Sequence, residues 1–434
     1  MRVILAAVLS LCSVLPALSQ PLPDCAAPGY LGEFPGGPTD VEFLCEEIFR
    51  FTVMTPGGER TIRGIRNFGS EWIVPPGAAA ELEQGARDAA AALARLGDYR
   101  MDHITFLLAD EPFRFARTPE EADAPEVAAT TDGREGQRHR ARGECLITLF
   151  GGGRFTLYES AVRVTAAHEI FHCVQYASLS AGQMGTVGTN GDWWIEGTAE
   201  YFSAVAVPDS FTETDRGVQF SEAVTEGRAL YEMRHEMGVF FSWWLGSDGL
   251  GQLMPFMRNM PADSSPTAQR AAMRATLGDD LWLDFAEAFA DEDIHHPQGS
   301  SFSLTADFTA DSRNITGNQD ETITLDPFVL TLGQFNHDCG TWRTTLNPVN
   351  PNLSAARDGE AFGPWPDEFD ATEGNDPVLR FVGLHTGDSP DAVQLDIERR
   401  RACGPCQGSD VVQACIAGVW EMTGGGPVEW MRAN

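Results

Sequence analysis

The chain has 434 residues, of which 43% are hydrophobic, so it is long enough to bury a sizeable core and to form two or three domains. Its formal net charge of −33 at pH 7 argues against nucleic acid as a partner, because that binding depends on Lys and Arg neutralising phosphates. The chain contains no lysine, which excludes Schiff-base chemistry and the lysine of phosphate-binding loops.

The first residues have the order of a secretory signal peptide. Arg2 precedes an apolar run from Val3 to Leu15, and small residues follow up to Ser19. We expect cleavage near Ser19, which would make the mature chain secreted or periplasmic. The apolar run is too short for an ordinary membrane span, and no later run reaches the length of about 18 apolar residues, so we expect no membrane span.

The cysteines indicate disulfide bonds. Nine cysteines minus Cys12 of the signal peptide leave eight, an even number in a chain expected to be exported. Cys145 lies in a predicted strand and Cys173 in a predicted helix shortly afterwards. We expect these two cysteines to form a disulfide bond.

The first half of the mature chain alternates between helix, strand and loop patterns. Residues 20–75 form a small N-terminal segment rich in Gly and Pro. An Ala-rich amphipathic helix is predicted over 78–97, followed by a strand at 103–110. The stretch 111–143 is polar and without periodicity, which is typical of a long surface loop, and a second strand follows at 145–150.

The pattern is helical from about residue 159 to 291, and it includes one helical stretch over 228–245. Beyond Pro297 the composition changes to Thr, Asp, Asn and Pro, with short alternating runs such as 321–326 and 377–384. That change predicts a separate β-rich module.

The sequence VTAAHEIFHCVQYA, residues 164–177, is apolar enough for a buried helix but contains three titratable groups. Residues four apart lie one helical turn above each other, so His168 and His172 can direct their imidazoles at a single atom. This is the H-E-x-x-H pattern, in which two imidazoles bind zinc and the adjacent carboxylate, here Glu169, accepts a proton from water. The alternative of two core histidines would leave Glu169 buried without a partner, which is energetically costly.

A catalytic zinc ion needs a third protein ligand besides two histidines and a water. The sequence DWWIEGTAEYF, residues 192–202, contains Glu196 and, one turn later, Glu200. We expect Glu196 to be the third ligand. We expect Glu200 to accept a hydrogen bond from the free ring nitrogen of His168, which would fix the tautomer of that ligand.

Together these segments resemble the gluzincin metallopeptidases, in which H-E-x-x-H is followed about 20 residues later by a helical glutamate, often within W-x-x-E-G-x-A-E-Y. The matching residues are Trp193, Glu196, Gly197, Ala199, Glu200 and Tyr201. The resemblance covers about residues 145–290. It implies that His168, His172 and Glu196 bind zinc, that Glu169 is the general base and that Glu200 supports a ligand from behind.

Gluzincins usually add a Tyr or His that stabilises the oxyanion, and here the match is poor. Tyr231 and His235 are one helical turn apart in the predicted helix, just before GVFFSWWL. Either could reach the reaction intermediate. We therefore treat both as candidate catalytic residues.

The resemblance implies an α+β fold, with a zincin-like catalytic domain made of a small sheet and a helical subdomain. The expected organisation is a signal peptide at 1–19, a small N-terminal segment at 20–75, the metallopeptidase domain at 76–296 and the β-rich module at 297–434. Near the end, Gly418-x-Trp420 is faintly similar to the first strand of lipocalin-like domains. An incomplete module and an ordinary terminal strand both stay open.

These patterns predict a secreted zinc peptidase, a hydrolase that cleaves peptide bonds with a zinc-bound water activated by Glu169. Its cofactor would be Zn²⁺ and its partner a peptide or protein substrate. The alternative is a non-catalytic secreted binding or surface protein that retains a zinc site. Glu169 favours the enzyme, because a structural zinc ion needs no base and usually has four protein ligands. Substrate specificity and oligomeric state stay open.

Overall fold

The computed structural model describes residues 45–67, 77–109, 129–131, 144–150, 159–210, 215–357, 359–371 and 378–402. The predicted signal peptide, most of the predicted loop at 111–143 and the residues after 402 lie outside this described part. The chain divides into two units, residues 1–79 with 100–157 and residues 80–99 with 158–434. Helices and sheets both contribute, which confirms the mixed α+β class.

The first unit contains a five-stranded mixed sheet in the order β1-β2-β3-β5-β4. Its strands are β1 (Cys45–Thr55), β2 (Gly58–Asn67), β3 (His103–Ala109), β4 (Ala129–Thr131) and β5 (Glu144–Phe150). β1 and β2 form an antiparallel hairpin, β2, β3 and β5 run parallel, and β4 is antiparallel to β5. The two predicted strands are confirmed as β3 and β5, and the hairpin joins the same sheet.

Helices form the first part of the second unit. They are α1 (Ala78–Leu93), α2 (Glu159–Ser178), α3 (Ala181–Met184), α4 (Asp192–Ala206), α5 (Gly217–Thr225), α6 (Gly238–Leu245), α7 (Leu250–Arg258) and α8 (Pro266–Ala290). Two short 3-10 helices, Leu230–Glu232 and His235–Met237, precede α6. The helix predicted over 78–97 is confirmed up to Leu93, after which the chain turns towards Gly97, whose φ is +80°.

Helix α2 is buried on nearly all sides. Its apolar side chains lie in the core, and those that are buried include Val162, Val164, Ala166, Ala167, Ile170, Phe171, Cys173 and Val174. A helix that is apolar around most of its circumference must be enclosed by other elements. The polar side chains of His168, Glu169, His172 and Gln175 therefore lie inside the protein and need partners there.

The stretch 228–245 is not one continuous helix, so that expectation was wrong. Met233 has an extended backbone with ψ 166°, which separates the two 3-10 helices. In a continuous helix Arg228 and Glu236 would be about 12 Å apart along the axis. Instead their side chains form an ion pair at 2.8 Å, while Arg234 pairs with Asp192 of α4 at 2.9 Å. Ion pairs within the stretch 228–245 and between this stretch and α4 thus accompany the interruption of the helix.

The second part of this unit is β-rich, as predicted beyond Pro297. Its strands are β6 (Ser312–Ile315), β7 (Gln319–Leu325), β8 (Leu330–His337), β9 (Gly340–Asn347), β10 (Leu353–Arg357), β11 (Gly363–Pro364), β12 (Glu368–Ala371), β13 (Val378–Leu384) and β14 (Asp391–Ala402). They form two sheets, in the orders β11-β10-β13-β8-β6 and β12-β9-β14-β7. Buried side chains from both sheets meet in one hydrophobic cluster that includes Phe335, Trp342 and Phe381.

The β-rich part packs directly against the helices of its unit. Arg274 of α8 donates to the carbonyl of Thr386 at 2.7 Å and forms an ion pair with Asp388 at 2.9 Å. The amide of Leu230 donates to the carbonyl of Phe328 at 2.8 Å. The segment that leads to His235 is therefore held in part by the sheets.

Cys145, Cys173 and Cys339 are disulfide-bonded, which confirms that disulfides are present. The pairing of Cys145 with Cys173 stays a prediction. None of the helices in the described part of the chain combines the length and the apolar composition that a membrane span requires.

Candidate metal centre

Two packed helices, α2 and α4, carry the predicted metal ligands, the predicted base Glu169 and Glu200. The rings of Phe171 on α2 and Phe202 on α4 stack with centroids 4.7 Å apart and planes 18° from parallel. Every residue of α4 except Val205 is buried. Because both helices are fixed by core packing, side chains that point from one helix towards the other are held in a defined geometry.

The side chains of His168, His172 and Glu196 converge at this contact. The two Nε2 atoms of the histidines are 3.0 Å apart. Oε2 of Glu196 lies 3.2 Å from Nε2 of His172 and 3.3 Å from Nε2 of His168. The structure thus brings together three ligand atoms that the sequence only suggested would meet.

These distances suit a small divalent cation. Ligand atoms bound at 2.0–2.1 Å to a tetrahedral zinc ion are separated from one another by about 3.3 Å. The three separations, 3.0, 3.2 and 3.3 Å, are close to that value. Imidazole nitrogen and carboxylate oxygen are also donors that zinc accepts. The residues present therefore fit a zinc ion.

The pKa shifts of His172 and Glu196 also favour a bound cation. Burial alone would lower the pKa of His172, but the adjacent Glu196 carboxylate raises that pKa to about 9. Burial likewise opposes ionisation of Glu196, yet the surrounding imidazoles hold the pKa of its carboxyl well below the usual range. In the metal-free site the Glu196 carboxylate is therefore balanced by the proton that it favours on His172. A divalent cation can replace that proton.

The ring of His172 is oriented by a glutamine that the sequence interpretation missed. Nδ1 of His172 lies 2.7 Å from Oε1 of Gln175, and Nε2 of Gln175 donates to the carbonyl of Ile195 at 2.9 Å. Gln175 is fully buried. The available signal was its position, one turn beyond His172 in an otherwise apolar helix. Outer partners of this kind orient metal-binding imidazoles.

The ring of His168 lies near Glu200, but the hydrogen bond expected between them is not formed in this structure. Nδ1 of His168 is 3.6 Å from Oε1 of Glu200, which is an electrostatic contact rather than a direct hydrogen bond. The same oxygen accepts a hydrogen bond from Arg216 at 2.7 Å. Burial opposes ionisation of Glu200, but Arg216 lowers the pKa of its carboxyl. No sequence motif pointed to Arg216.

His235 and Tyr231, the two candidate oxyanion residues, occupy different surroundings. Nε2 of His235 lies 3.2 Å from Oε2 of Glu196, and its ring stacks on that of His168 with centroids 5.7 Å apart. The candidate ligand atoms of His168, Glu196 and His235 all lie within 4.8 Å of one another. The hydroxyl of Tyr231 instead lies 3.5 Å from Nη1 of Arg270.

Glu169, the predicted base, is buried on α2 between the two histidines, with 7% of its surface exposed. Its charge reaches the cluster, since it contributes to the raised pKa of His172 after the larger effects of burial and Glu196.

No family model matches the chain, and no curated protein matches it. One solved structure with a reported similarity is PliG from Salmonella Typhimurium, a periplasmic inhibitor of g-type lysozyme. The similarity has 11% sequence identity and a TM-score of 0.14, and it covers 21% of this chain and 98% of that one. A similarity at this level carries no argument about the fold or the function.

Proposed function

We propose that this protein is a secreted zinc-dependent peptidase with a zincin-like catalytic region. One observation carries the proposal: the ligand atoms of His168, His172 and Glu196 converge within 3.0–3.3 Å, with Glu169 on the same helix as the histidines. A site that only bound metal would not need the extra buried carboxylate. The gluzincin-like sequence around Glu196 supports the same conclusion.

In the proposed hydrolysis the metal ligands, the base and the residue that orients a ligand have different roles. A zinc ion held by His168, His172 and Glu196 would polarise the scissile carbonyl and lower the pKa of a water. Glu169 accepts the proton of the attacking water and returns it to the leaving amine. Gln175 holds the ring of His172 in place through the 2.7 Å contact with Nδ1.

Two charged residues, Arg216 and Glu200, orient the imidazole of His168. Arg216 holds Glu200 in its ionised form, and Glu200 faces Nδ1 of His168. A carboxylate in this position favours the tautomer of His168 that keeps the lone pair of Nε2 free for a metal ion. Arg216 and Glu200 therefore act through His168 rather than on the substrate.

A non-catalytic zinc protein is the second candidate, and one observation favours it. His235 lies as close to Glu196 as the two α2 histidines do, and four protein ligands are typical of structural zinc. Glu169 still favours the peptidase, because a structural site has no use for a base.

Zinc content and peptide hydrolysis, measured on the same sample of the chain from residue 20 onwards, test the proposal. We expect bound zinc by elemental mass spectrometry and cleavage of a mixed peptide library. Removal of zinc with a chelator should abolish cleavage, and added zinc should restore it. Zinc without cleavage would favour the non-catalytic protein, and a chain that binds no zinc would contradict both candidates.

A further inference from the structure

His235 has the same relationship to Glu196 as the histidines of α2. Oε2 of Glu196 lies 3.2 Å from Nε2 of His235, compared with 3.2 and 3.3 Å for His172 and His168. The donor atoms of His168, Glu196 and His235 also lie within 4.8 Å of one another, so His235 can share a metal ion with these two residues.

Two glycines allow this close approach. A Cβ atom on Gly197 of α4 would lie 2.9 Å from Cβ of Met237, and one on Gly238 would lie 2.8 Å from Cβ of Glu200. Both distances are shorter than real Cβ contacts. Only glycine at these positions lets the turn around His235 reach the helix that carries Glu196.

The backbone on both sides of His235 is anchored. Arg234 forms an ion pair with Asp192 at 2.9 Å, and Glu236 forms one with Arg228 at 2.8 Å. Met237 is fully buried. These contacts hold the main chain at His235 beside the candidate metal ligands, and they do not depend on the orientation of the imidazole.

The imidazole of His235 is held less firmly than its backbone. Its side chain is 39% exposed, whereas those of His168 and His172 are each 10% exposed. In the described part of the chain, no protein group hydrogen-bonds to Nδ1 of His235, in contrast to Nδ1 of His172. A rotation of the side chain can therefore move the ring into solvent without disturbing the fold.

We infer that His235 is an additional, detachable metal ligand, which binds the metal ion together with His168 and Glu196 in the resting protein and leaves it by rotating towards solvent. The inference rests on the proposed function and adds regulation to it. A zinc ion with four protein ligands has no open position, and a catalytic one needs such a position. Release of His235 would supply it.

X-ray absorption spectroscopy of the zinc-loaded full chain tests this arrangement, because it reports the number of imidazoles bound to the metal. We expect three imidazoles in the wild type and two, with an added oxygen ligand, in His235→Ala. The variant should also lose zinc affinity in chelator competition, by at least the roughly 10- to 100-fold typical of an outer-shell partner. Its cleavage of peptides at saturating zinc should be faster than that of the wild type.

The matched control is His295→Ala, which removes a half-exposed histidine from a loop of the same unit. It should keep three imidazoles and wild-type zinc affinity. Two imidazoles in the wild type, with an unchanged count in His235→Ala and slower cleavage, would make His235 an oxyanion residue and overturn the inference while leaving the peptidase proposal intact. A wild type that binds no zinc would overturn both.

Discussion

Nδ1 of His172 lies 2.7 Å from Oε1 of Gln175, one turn further along the same helix. The amide nitrogen of Gln175 donates to the carbonyl of Ile195, which can only accept, so the amide oxygen must face the imidazole. When the ring of His172 is neutral, its proton therefore stays on Nδ1. The lone pair of Nε2 then faces the cluster and is available to a metal ion.

Gln175→Leu should weaken zinc binding by roughly 10- to 100-fold, because the ring of His172 would lose its fixed tautomer and orientation. Competition with a chromophoric chelator measures the loss. Gln252→Leu, on the exposed side of α7, serves as the control and should bind zinc like the wild type. Equal affinity in the two variants would show that Gln175 has only a packing role.

Glu169→Gln should keep the zinc and the fold while peptide cleavage falls by roughly 10²- to 10⁴-fold, because only the proton acceptor is lost. Steady-state kinetics on a peptide cleaved by the wild type measure the fall in kcat. Zinc content and thermal unfolding of the same sample serve as internal controls. Turnover near the wild-type value would rule out Glu169 as the base.

Glu196→Ala should lose most of its zinc affinity, whereas Glu200→Ala should lose only about 10- to 100-fold. The reason is that Glu196 contributes an oxygen to the cluster at 3.2 Å from Nε2 of His172, while Glu200 lies behind His168 at 3.6 Å from its Nδ1. Titration of both variants with zinc gives the order. The opposite order would exchange the two roles.

Arg216→Gln should destabilise the metal-free protein, by up to about 3 kcal/mol, because it leaves the buried carboxylate of Glu200 without its counter-ion. The partial exposure of Arg216, 29% of its side chain, keeps the cost below that of a fully buried pair. The double variant with Glu200→Gln should recover part of the loss in urea unfolding. Arg357→Gln removes an exposed ion pair and should change little. Additive effects of the two site substitutions would mean that Arg216 and Glu200 are not coupled.

Tyr231→Phe should leave zinc affinity and kcat unchanged, because the hydroxyl of Tyr231 lies next to Arg270 rather than the metal ligands. His235→Ala, measured in parallel, should change both. A fall in kcat for Tyr231→Phe at constant zinc content would restore Tyr231 as the oxyanion residue.

The central part of the site could be predicted from the sequence because it depends on local geometry. Residues four apart in any α-helix lie on one face, so His168 and His172 form a pair wherever that helix packs. The same rule relates Glu196 to Glu200. The apolar residues around each pair also predict that both helices are buried.

Tertiary contacts decided the rest of the site. His235 reaches Glu196 because Gly197 and Gly238 permit close packing, and Arg216 reaches Glu200 from beyond the end of α4. Tyr231 is directed elsewhere by the extended residue Met233, although a continuous helix would have placed it one turn from His235. Helical periodicity determines which residues share a face within one segment. Which faces of different segments meet depends on side-chain volumes and ion pairs across the interface, and these contacts exist only in the folded chain.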